Sequence, residues 1–184
     1  MKITGGAARG RIIGHARKNV RPTSSKIREA VFNILGSHIE GAEFLDLFAG
    51  TGIMGCEALS RGALYVCFVE KNRLNAKGIK ERLEAIGFKD RAHCYIQNVF
   101  PFIKEAQQRG QTFNIIFMDP PYHSKELEKA ITLIDRGSII KKNGLMMCEH
   151  FCKKILPEKL IHLSMIKQKR YGDTMLTIYG YDES

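Results

Sequence analysis

Glu43-Phe44-Leu45-Asp46-Leu47-Phe48-Ala49-Gly50-Thr51-Gly52-Ile53-Met54-Gly55 is the stretch that decides the fold. Glu43 to Phe48 reads as a buried strand, and Ile53 to Ser60 as the helix that follows it. Gly50, Gly52 and Gly55 mark the crossing. A residue without a Cβ permits φ > 0 and lets the backbone approach a ligand closely. Their spacing satisfies a dinucleotide fingerprint, which alone is a weak signal. The next strand, Leu64 to Glu70, ends on an acid placed to accept hydrogen bonds from both hydroxyls of a ribose. A strand, a glycine turn, a helix and an acid-ending strand together predict an adenosine-containing ligand.

Asp46 narrows the ligand further. A pyrophosphate normally sits over the helix N-terminus, and a carboxylate just before the glycines would repel it. The same carboxylate attracts a cation. S-adenosylmethionine fits, because it carries an ammonium and a sulfonium and no phosphate. The plainer reading of Asp46 is a local cap or turn residue.

Outward from this loop the chain alternates helix and strand. Ser24 or Ser25 caps a helix that carries Ile27, Ala30, Val31, Ile34 and Leu35 on one face. Asn72 to Ile86 is a helix ended by Gly87, and Ala92 to Gln97 a strand. A short helix runs through Phe102, Ile103 and Ala106, a further strand ends at Asp119, and Lys125 to Ile134 is again helical. Gly144 to Glu149 is a strand. Ile161 to Arg170 and Thr174 to Tyr181 alternate apolar and polar residues around Tyr171-Gly172-Asp173, which predicts an antiparallel hairpin. The alternation argues for an α/β fold with a mostly parallel sheet. The expected organisation is a basic arm over 1–23 and one compact domain over 24–184.

Asp119-Pro120-Pro121-Tyr122 closes the apolar run Phe113-Asn114-Ile115-Ile116-Phe117-Met118. Each proline fixes φ and lacks an N–H, so carbonyls there stay available as acceptors. A carboxylate, free carbonyls and an aromatic ring suit a flat substrate bearing an amino group. The amine donates to Asp119 and the Pro120 carbonyl while Tyr122 stacks on the ring. A strand-ending turn is the plainer reading of the prolines.

Charge points to the partner. The 184-residue chain has a formal net charge of +10. Lys2, Arg9, Arg11, Arg17, Lys18, Arg21, Lys26 and Arg28 crowd the first thirty residues against Glu29 alone. Interleaved with Gly5, Gly6, Gly10 and Gly14, this block is suited to tracking a phosphate backbone, although basic runs are often only solvated surface. The five cysteines (Cys56, Cys67, Cys94, Cys148, Cys152) fall mostly in apolar stretches, where reduced thiols pack as small hydrophobes. Cys148-Glu149-His150-Phe151-Cys152 has no second ligand pair at metal spacing, so no metal is expected. The N-terminus lacks the apolar core of a signal peptide and no segment is long enough to span a membrane. These features predict a cytoplasmic protein with no membrane partner, and the charge favours a monomer.

Taken together, Asp-Leu-Phe-Ala-Gly-Thr-Gly at 46–52, Glu-Ala-Leu-Ser-Arg-Gly-Ala at 57–63, Glu70 and Asp-Pro-Pro-Tyr at 119–122 resemble the small-subunit ribosomal RNA guanine-N2 methyltransferases. Arg9-Gly10-Arg11, Arg21-Pro22-Thr23 and Arg170-Tyr171-Gly172-Asp173-Thr174 fit the same family, and the resemblance covers nearly the whole chain. It implies a Rossmann-like class I methyltransferase with a seven-stranded, mostly parallel sheet, an antiparallel C-terminal hairpin and an N-terminal basic β-arm. It implies that Asp46, Phe48, Ala49, Gly50, Thr51 and Gly52 line the methionine end of S-adenosylmethionine, that Glu70 holds its ribose and that Asn98 meets its adenine. Thr51 stands where many members have serine, which keeps the hydroxyl. Asp119, Pro120, Pro121 and Tyr122 are the implied catalytic set. The tetrapeptide is shared with adenine-N6, cytosine-N4 and protein glutamine methylases, so the arm and tail carry the ribosomal RNA expectation.

Arg9, Arg11, Arg17, Lys18, Arg21, Lys26 and Arg28 are the expected phosphate contacts, giving affinity and register without reading sequence. Stacking of a base on Tyr122 would contribute ~1–3 kcal/mol. Three rival readings are a nicotinamide-dependent oxidoreductase, a non-catalytic RNA-binding assembly factor on the same scaffold, and a DNA adenine-N6 methyltransferase. The first leaves the tetrapeptide and the arm without a role. The third lacks an evident target-recognition domain.

Overall fold

The computed structural model describes residues 1–14, 23–121 and 124–181. Among these residues seven strands and five α-helices form an α/β fold, mostly parallel with an antiparallel pair at the C-terminus. The chain divides into two compact units, Met1–Gln97 and Asn98–Ser184.

In the first unit, α1 (Ser25–Leu35) opens on Ser24, whose hydroxyl accepts from the Ile27 N–H at 3.2 Å. Strands β1 (Glu43–Leu47), β2 (Tyr65–Val69) and β3 (Ala92–Tyr95) pair in parallel, β1 with β2 and β2 with β3. Between them lie α2 (Ile53–Ser60) and α3 (Arg73–Ile86). Every residue of α2 is buried, so this helix is enclosed by its neighbours and shows no solvent face. Gly55 is the reason it can approach β2: a Cβ there would stand 2.2 Å from the Phe68 ring. Asn72 caps α3 by accepting from the N–H groups of Leu74 and Asn75, and Gly87, left-handed at φ 77°, ends it.

Residues 1–14 fold back on themselves through an antiparallel bridge between Lys2 and Ile12. Ile3 donates to the Arg11 carbonyl and Gly10 to that of Ile3. This N-terminal turn packs on α2, and Ile3, Ala8 and Ile13 are buried.

In the second unit, α4 (Val99–Gln108), β4 (Phe113–Met118), α5 (Glu126–Gly137) and β5 (Ile140–Phe151) precede the hairpin of β6 (Leu163–Tyr171) and β7 (Thr174–Tyr181). β4 and β5 are parallel, while β5 with β7 and β7 with β6 are antiparallel. The predicted hairpin is present with its turn at Gly172, φ 62°. β5 begins at Ile140, earlier than the expected Gly144. Lys141-Lys142-Asn143 break the apolar run that marks a strand, yet the chain stays in the sheet through a register shift between Phe113 and Ile115. Gly144 lets that irregularity pack, since a Cβ there would lie 2.9 Å from the Asn114 carbonyl. α5 likewise runs past the expected Ile134 to Gly137, with Glu126 and Glu128 in its first turn and Arg136 in its last, the signs that favour each end of the helix dipole.

Candidate active site

The glycine loop of the first unit is built from backbone that only special residues tolerate. Phe48 lies at φ 62°, Gly50 at 55° and Gly52 at 69°. A non-glycine residue in the left-handed region costs of order 1–3 kcal/mol and is typically held by its surroundings at a functional site. The surroundings here are specific. Ala49 donates to the Val69 carbonyl at 3.0 Å, and Gly52 to the Ala49 carbonyl at 2.7 Å. Gly52 also packs where a Cβ would meet the Ile79 side chain at 2.7 Å.

Two carboxylates converge on this loop. Asp46, 2% exposed, accepts the Gly55 N–H at 3.0 Å and so caps the first turn of α2. Glu70 accepts the Gly50 N–H on one oxygen at 2.8 Å and the Asn72 N–H on the other at 2.7 Å. Each carboxylate oxygen has two acceptor sites, so Glu70 retains capacity for a ribose hydroxyl while its backbone bonds fix its position. The capping reading of Asp46 is the one its Gly55 hydrogen bond supports. Asp46, Ala49 and Thr51 are buried, and Phe48 and Gly50 half-buried. The sequence-predicted cofactor residues of this unit thus come together as one hydrogen-bonded loop. Cys56, buried beside it, has its thiol pushed up to about 12 by burial and by Asp46, which leaves it inert.

Sequence reasoning missed Arg82. From α3, its Nε donates to the Ile13 carbonyl at 3.0 Å and its Nη1 to the Thr51 carbonyl at 3.3 Å. One side chain thereby ties the N-terminal turn to the glycine loop. Gly78 makes room for it, because a Cβ there would stand 2.8 Å from Arg82 Nη1. In sequence, Arg82 looks like one more exposed helix charge.

The basic arm is only partly as expected. Arg9, Arg11 and Lys26 are exposed, as phosphate contacts require. Arg28 is not. It is 5% exposed, with Nη1 donating to the Thr23 carbonyl at 2.7 Å and Nη2 to that of Lys2 at 2.9 Å. Its Nε lies 3.9 Å from buried Glu57. Burial pushes its pKa down, against the opposing pull of Glu57 and Glu29. Arg28 therefore fastens the arm to the domain and is withdrawn from the phosphate set. Arg17, Lys18 and Arg21 lie outside the described residues.

In the second unit, Asp119 is half-buried at the end of β4, Pro120 is buried and Pro121 exposed. Tyr122 lies outside the described residues. Ser124 closes the segment by donating both its N–H, at 3.0 Å, and its hydroxyl, at 2.9 Å, to the Pro121 carbonyl. Lys154 anchors Ser124 in turn, donating to its carbonyl at 2.9 Å while pairing with Glu128 at 3.0 Å. Asn98 is exposed and caps α4, its side-chain oxygen accepting from the Phe100 N–H at 3.1 Å. Among the described residues no cluster of His, Cys, Asp and Glu could hold a metal ion. No helix among them is long and apolar enough to cross a membrane.

The glycine loop, its two carboxylates and the α/β sheet define a Rossmann-like class I methyltransferase. The family described as Conserved hypothetical protein 95 matches residues 1–180. YlbH of Bacillus subtilis is 34% identical, the match covering 97% of this chain and 98% of that protein. A Haemophilus influenzae protein named ribosomal RNA small subunit methyltransferase D is 33% identical, over 97% of this chain and 93% of its own. Among solved structures, yhhF from Escherichia coli superposes with a TM-score of 0.88 at 30% identity, covering 100% of this chain and 99% of that one. The chain belongs to the ribosomal RNA small subunit methyltransferase D family.

Proposed function

We propose that this protein transfers a methyl group from S-adenosylmethionine to the exocyclic N2 amine of a guanine in small-subunit ribosomal RNA. Family membership over nearly the full chain supports ribosomal RNA as the acceptor. The observation that carries the cofactor assignment is the Gly50–Glu70 hydrogen bond at 2.8 Å. It sets an acid at the edge of a glycine loop whose neighbouring charge, Asp46, is also negative, an arrangement suited to a cationic adenosine derivative. Asp46, Phe48, Ala49, Gly50, Thr51 and Gly52 would hold the methionine end and Glu70 the ribose. Asn98 would reach the adenine with its amide while its oxygen caps α4.

The bound cofactor supplies an electrophilic methyl on a positively charged sulfur. The chain's own part is to make a poor nucleophile react. The guanine N2 lone pair is delocalised into the ring, so the amine must pyramidalise. Its N–H groups donate to the Asp119 carboxylate and the Pro120 carbonyl, which aligns the nitrogen and favours that geometry. Ser124 engages the neighbouring Pro121 carbonyl, and this supports the assignment of the acceptor role to Pro120. Preorganised acceptors and orientation are the terms that contribute several kcal/mol each in such transfers. The N–C bond would form as the S–CH3 bond breaks, its electron pair staying on sulfur so that S-adenosylhomocysteine leaves as a neutral thioether. Asp119 or a water takes the proton departing from N2. Tyr122 stacks the base once it has left the RNA helix, a step that costs a few kcal/mol. Arg9, Arg11, Arg17, Lys18, Arg21 and Lys26 contact phosphates.

The test is transfer of tritiated methyl to unmodified small-subunit ribosomal RNA, to the assembled small subunit and to duplex DNA, followed by nucleoside analysis. Label in N2-methylguanosine is expected. Label only in N6-methyladenine of DNA would keep the amine chemistry and overturn the acceptor. No label in any of the three, with cofactor bound, would overturn the catalytic reading.

A further inference from the structure

A second basic surface lies far from the arm in sequence. β6 is the terminal strand of the sheet and pairs with β7. From Ile166 to Arg170 it is exposed throughout. Lys167, Lys169 and Arg170 fall in this stretch, and exposed Lys153 and Lys159 precede it, against Glu158 as the one acid between 153 and 170. Lysines on an edge strand commonly serve to block pairing with another sheet. The register gives these a more specific position.

Cα partners run across the second unit in rows. Met118 on β4 is level with Cys148 on β5, Cys148 with Thr177 on β7, and Thr177 with Gln168 on β6. The following row on β5, β7 and β6 is Glu149, Leu176 and Lys169, and the next is His150, Met175 and Arg170. Asp119 and Pro120 are the two residues that follow Met118. Lys169 and Arg170 thus occupy the rows that Asp119 and Pro120 continue, displaced sideways by three strand spacings, about 14 Å. Lys167 and Lys169 point to the same face by strand alternation. Arg170 is steadied by its Nε donating to the Gly172 carbonyl at 2.8 Å, and Lys169 Nζ lies 5.5 Å from the centre of the Tyr171 ring.

We infer that the Lys167–Arg170 edge of β6 binds the phosphodiester backbone of the substrate RNA beside the target nucleotide. The inference rests on the RNA-methyltransferase reading and adds a contact surface to it. The occupant follows from charge and position together. A row of cations at the level of the amine-binding carboxylate, one short span of polynucleotide away, holds the strand that flanks an extruded base. Such contacts fix register and leave base identity to the pocket.

The test is RNA binding by full-length protein across a salt series. Its variants are Lys167→Gln/Lys169→Gln and, as a control, Lys104→Gln on α4 with Arg109→Gln at its C-cap. Removing two phosphate contacts should flatten the slope of log K against log salt by about 1.4, at ~0.7 per contact. The KM for RNA should rise while kcat at saturation stays near that of the unaltered protein. The variant sites are exposed, and thermal midpoints matching the unaltered protein's confirm that folding is intact. An unchanged slope for the β6 variant would overturn the inference, and so would an equal effect of the α4 control, which marks a diffuse charge effect. Unaltered protein that methylates no RNA at all would instead sink the functional reading on which the inference stands.

Discussion

Glu57 takes the Thr4 backbone N–H on both carboxylate oxygens, at 3.1 and 3.0 Å, from a position on α2 with no solvent exposure. The Thr4 hydroxyl and the Gly5 N–H donate to the same group, and Arg61 pairs with it at 3.0 Å. A buried carboxylate is costly unless paired and hydrogen-bonded, and here the N-terminal turn supplies the partners. The arm's exposed Arg9 and Arg11 are thus mounted on a fixed base.

Glu57→Gln should unseat that turn. It removes a charge that faces Arg61 and Arg28 in a buried setting, a class of change that costs about 3–5 kcal/mol. For a chain of this length that corresponds to a fall in Tm of roughly 6–20 °C, readable by thermal denaturation. The KM for RNA should rise in the same variant at temperatures where it stays folded. A midpoint within a degree or two of the unaltered protein would show that the turn is held by other contacts.

Arg82→Met tests the link between the arm and the glycine loop. The substitution keeps the apolar stem and removes donors to the Ile13 and Thr51 carbonyls. Both cofactor affinity and RNA affinity should weaken, each by several-fold, from a residue assigned to touch neither ligand. Calorimetric titration with S-adenosylhomocysteine and a separate RNA-binding assay read the two effects. Loss of only one would mean that Arg82 serves that side alone.

Sequence patterns reached the strand–helix alternation because buried strands and amphipathic helices leave periodic apolar signals. Glu70 was legible for the same reason: it terminates such a strand. Arg28 was misread because composition registers a charge without its burial, and its neutralising partner, Glu57, is remote in sequence. Glu57, Ser60 and Arg61 were recognised only through family resemblance. The structure gives them the task of holding the N-terminal turn, Ser60 accepting from the Ala8 N–H and donating to the Gly5 carbonyl. The early part of β5 was hidden because Lys141 to Asn143 are polar where the strand passes through its irregularity. Asn98 was read only as a residue that meets the adenine, because its capping bond to the Phe100 N–H depends on where α4 starts.

His150 should make the second unit acid-sensitive. It is 2% exposed, its Nδ1 3.0 Å from the Phe151 carbonyl and its Nε2 2.8 Å from the Thr177 hydroxyl. A ring nitrogen facing a carbonyl must donate, so Nε2 accepts from Thr177, whose oxygen accepts from Gln168 at 3.0 Å. Burial lowers the His150 pKa. The Phe151 carbonyl and Glu128 oppose that shift, while Lys154 reinforces it. The unfolded chain therefore binds this proton more readily, and stability falls as pH drops below the unfolded value near 6.5 toward the lower folded one. Urea midpoints at pH 7.5 and 5.5 should differ in the unaltered protein and differ less in His150→Gln. Equal pH dependence in both would assign the acid sensitivity to other groups.

Lys154→Met separates placement of the tetrapeptide from its chemistry. Lys154 donates to the Ser124 carbonyl, and Ser124 closes on Pro121, so the ammonium steadies the segment that begins at Asp119. Losing it should lower kcat roughly 10- to 100-fold, the range that small misplacements of reacting groups produce. Affinity for S-adenosylhomocysteine should stay unchanged. Asp119→Ala, which removes the acceptor itself, should abolish turnover with the same affinity retained. The Lys154 effect should also carry a pH signature. Burial raises the Glu128 pKa, but its hydrogen bonds, including that from Lys154, outweigh this and hold it below the ordinary value. The pair thus stabilises the segment above the unfolded carboxylate range and is lost as pH falls through the lower folded value. Lys154→Arg keeps the charge and should restore most of the lost rate, whereas a Lys154→Met variant as active as the unaltered protein would mean that Ser124 holds the segment unaided.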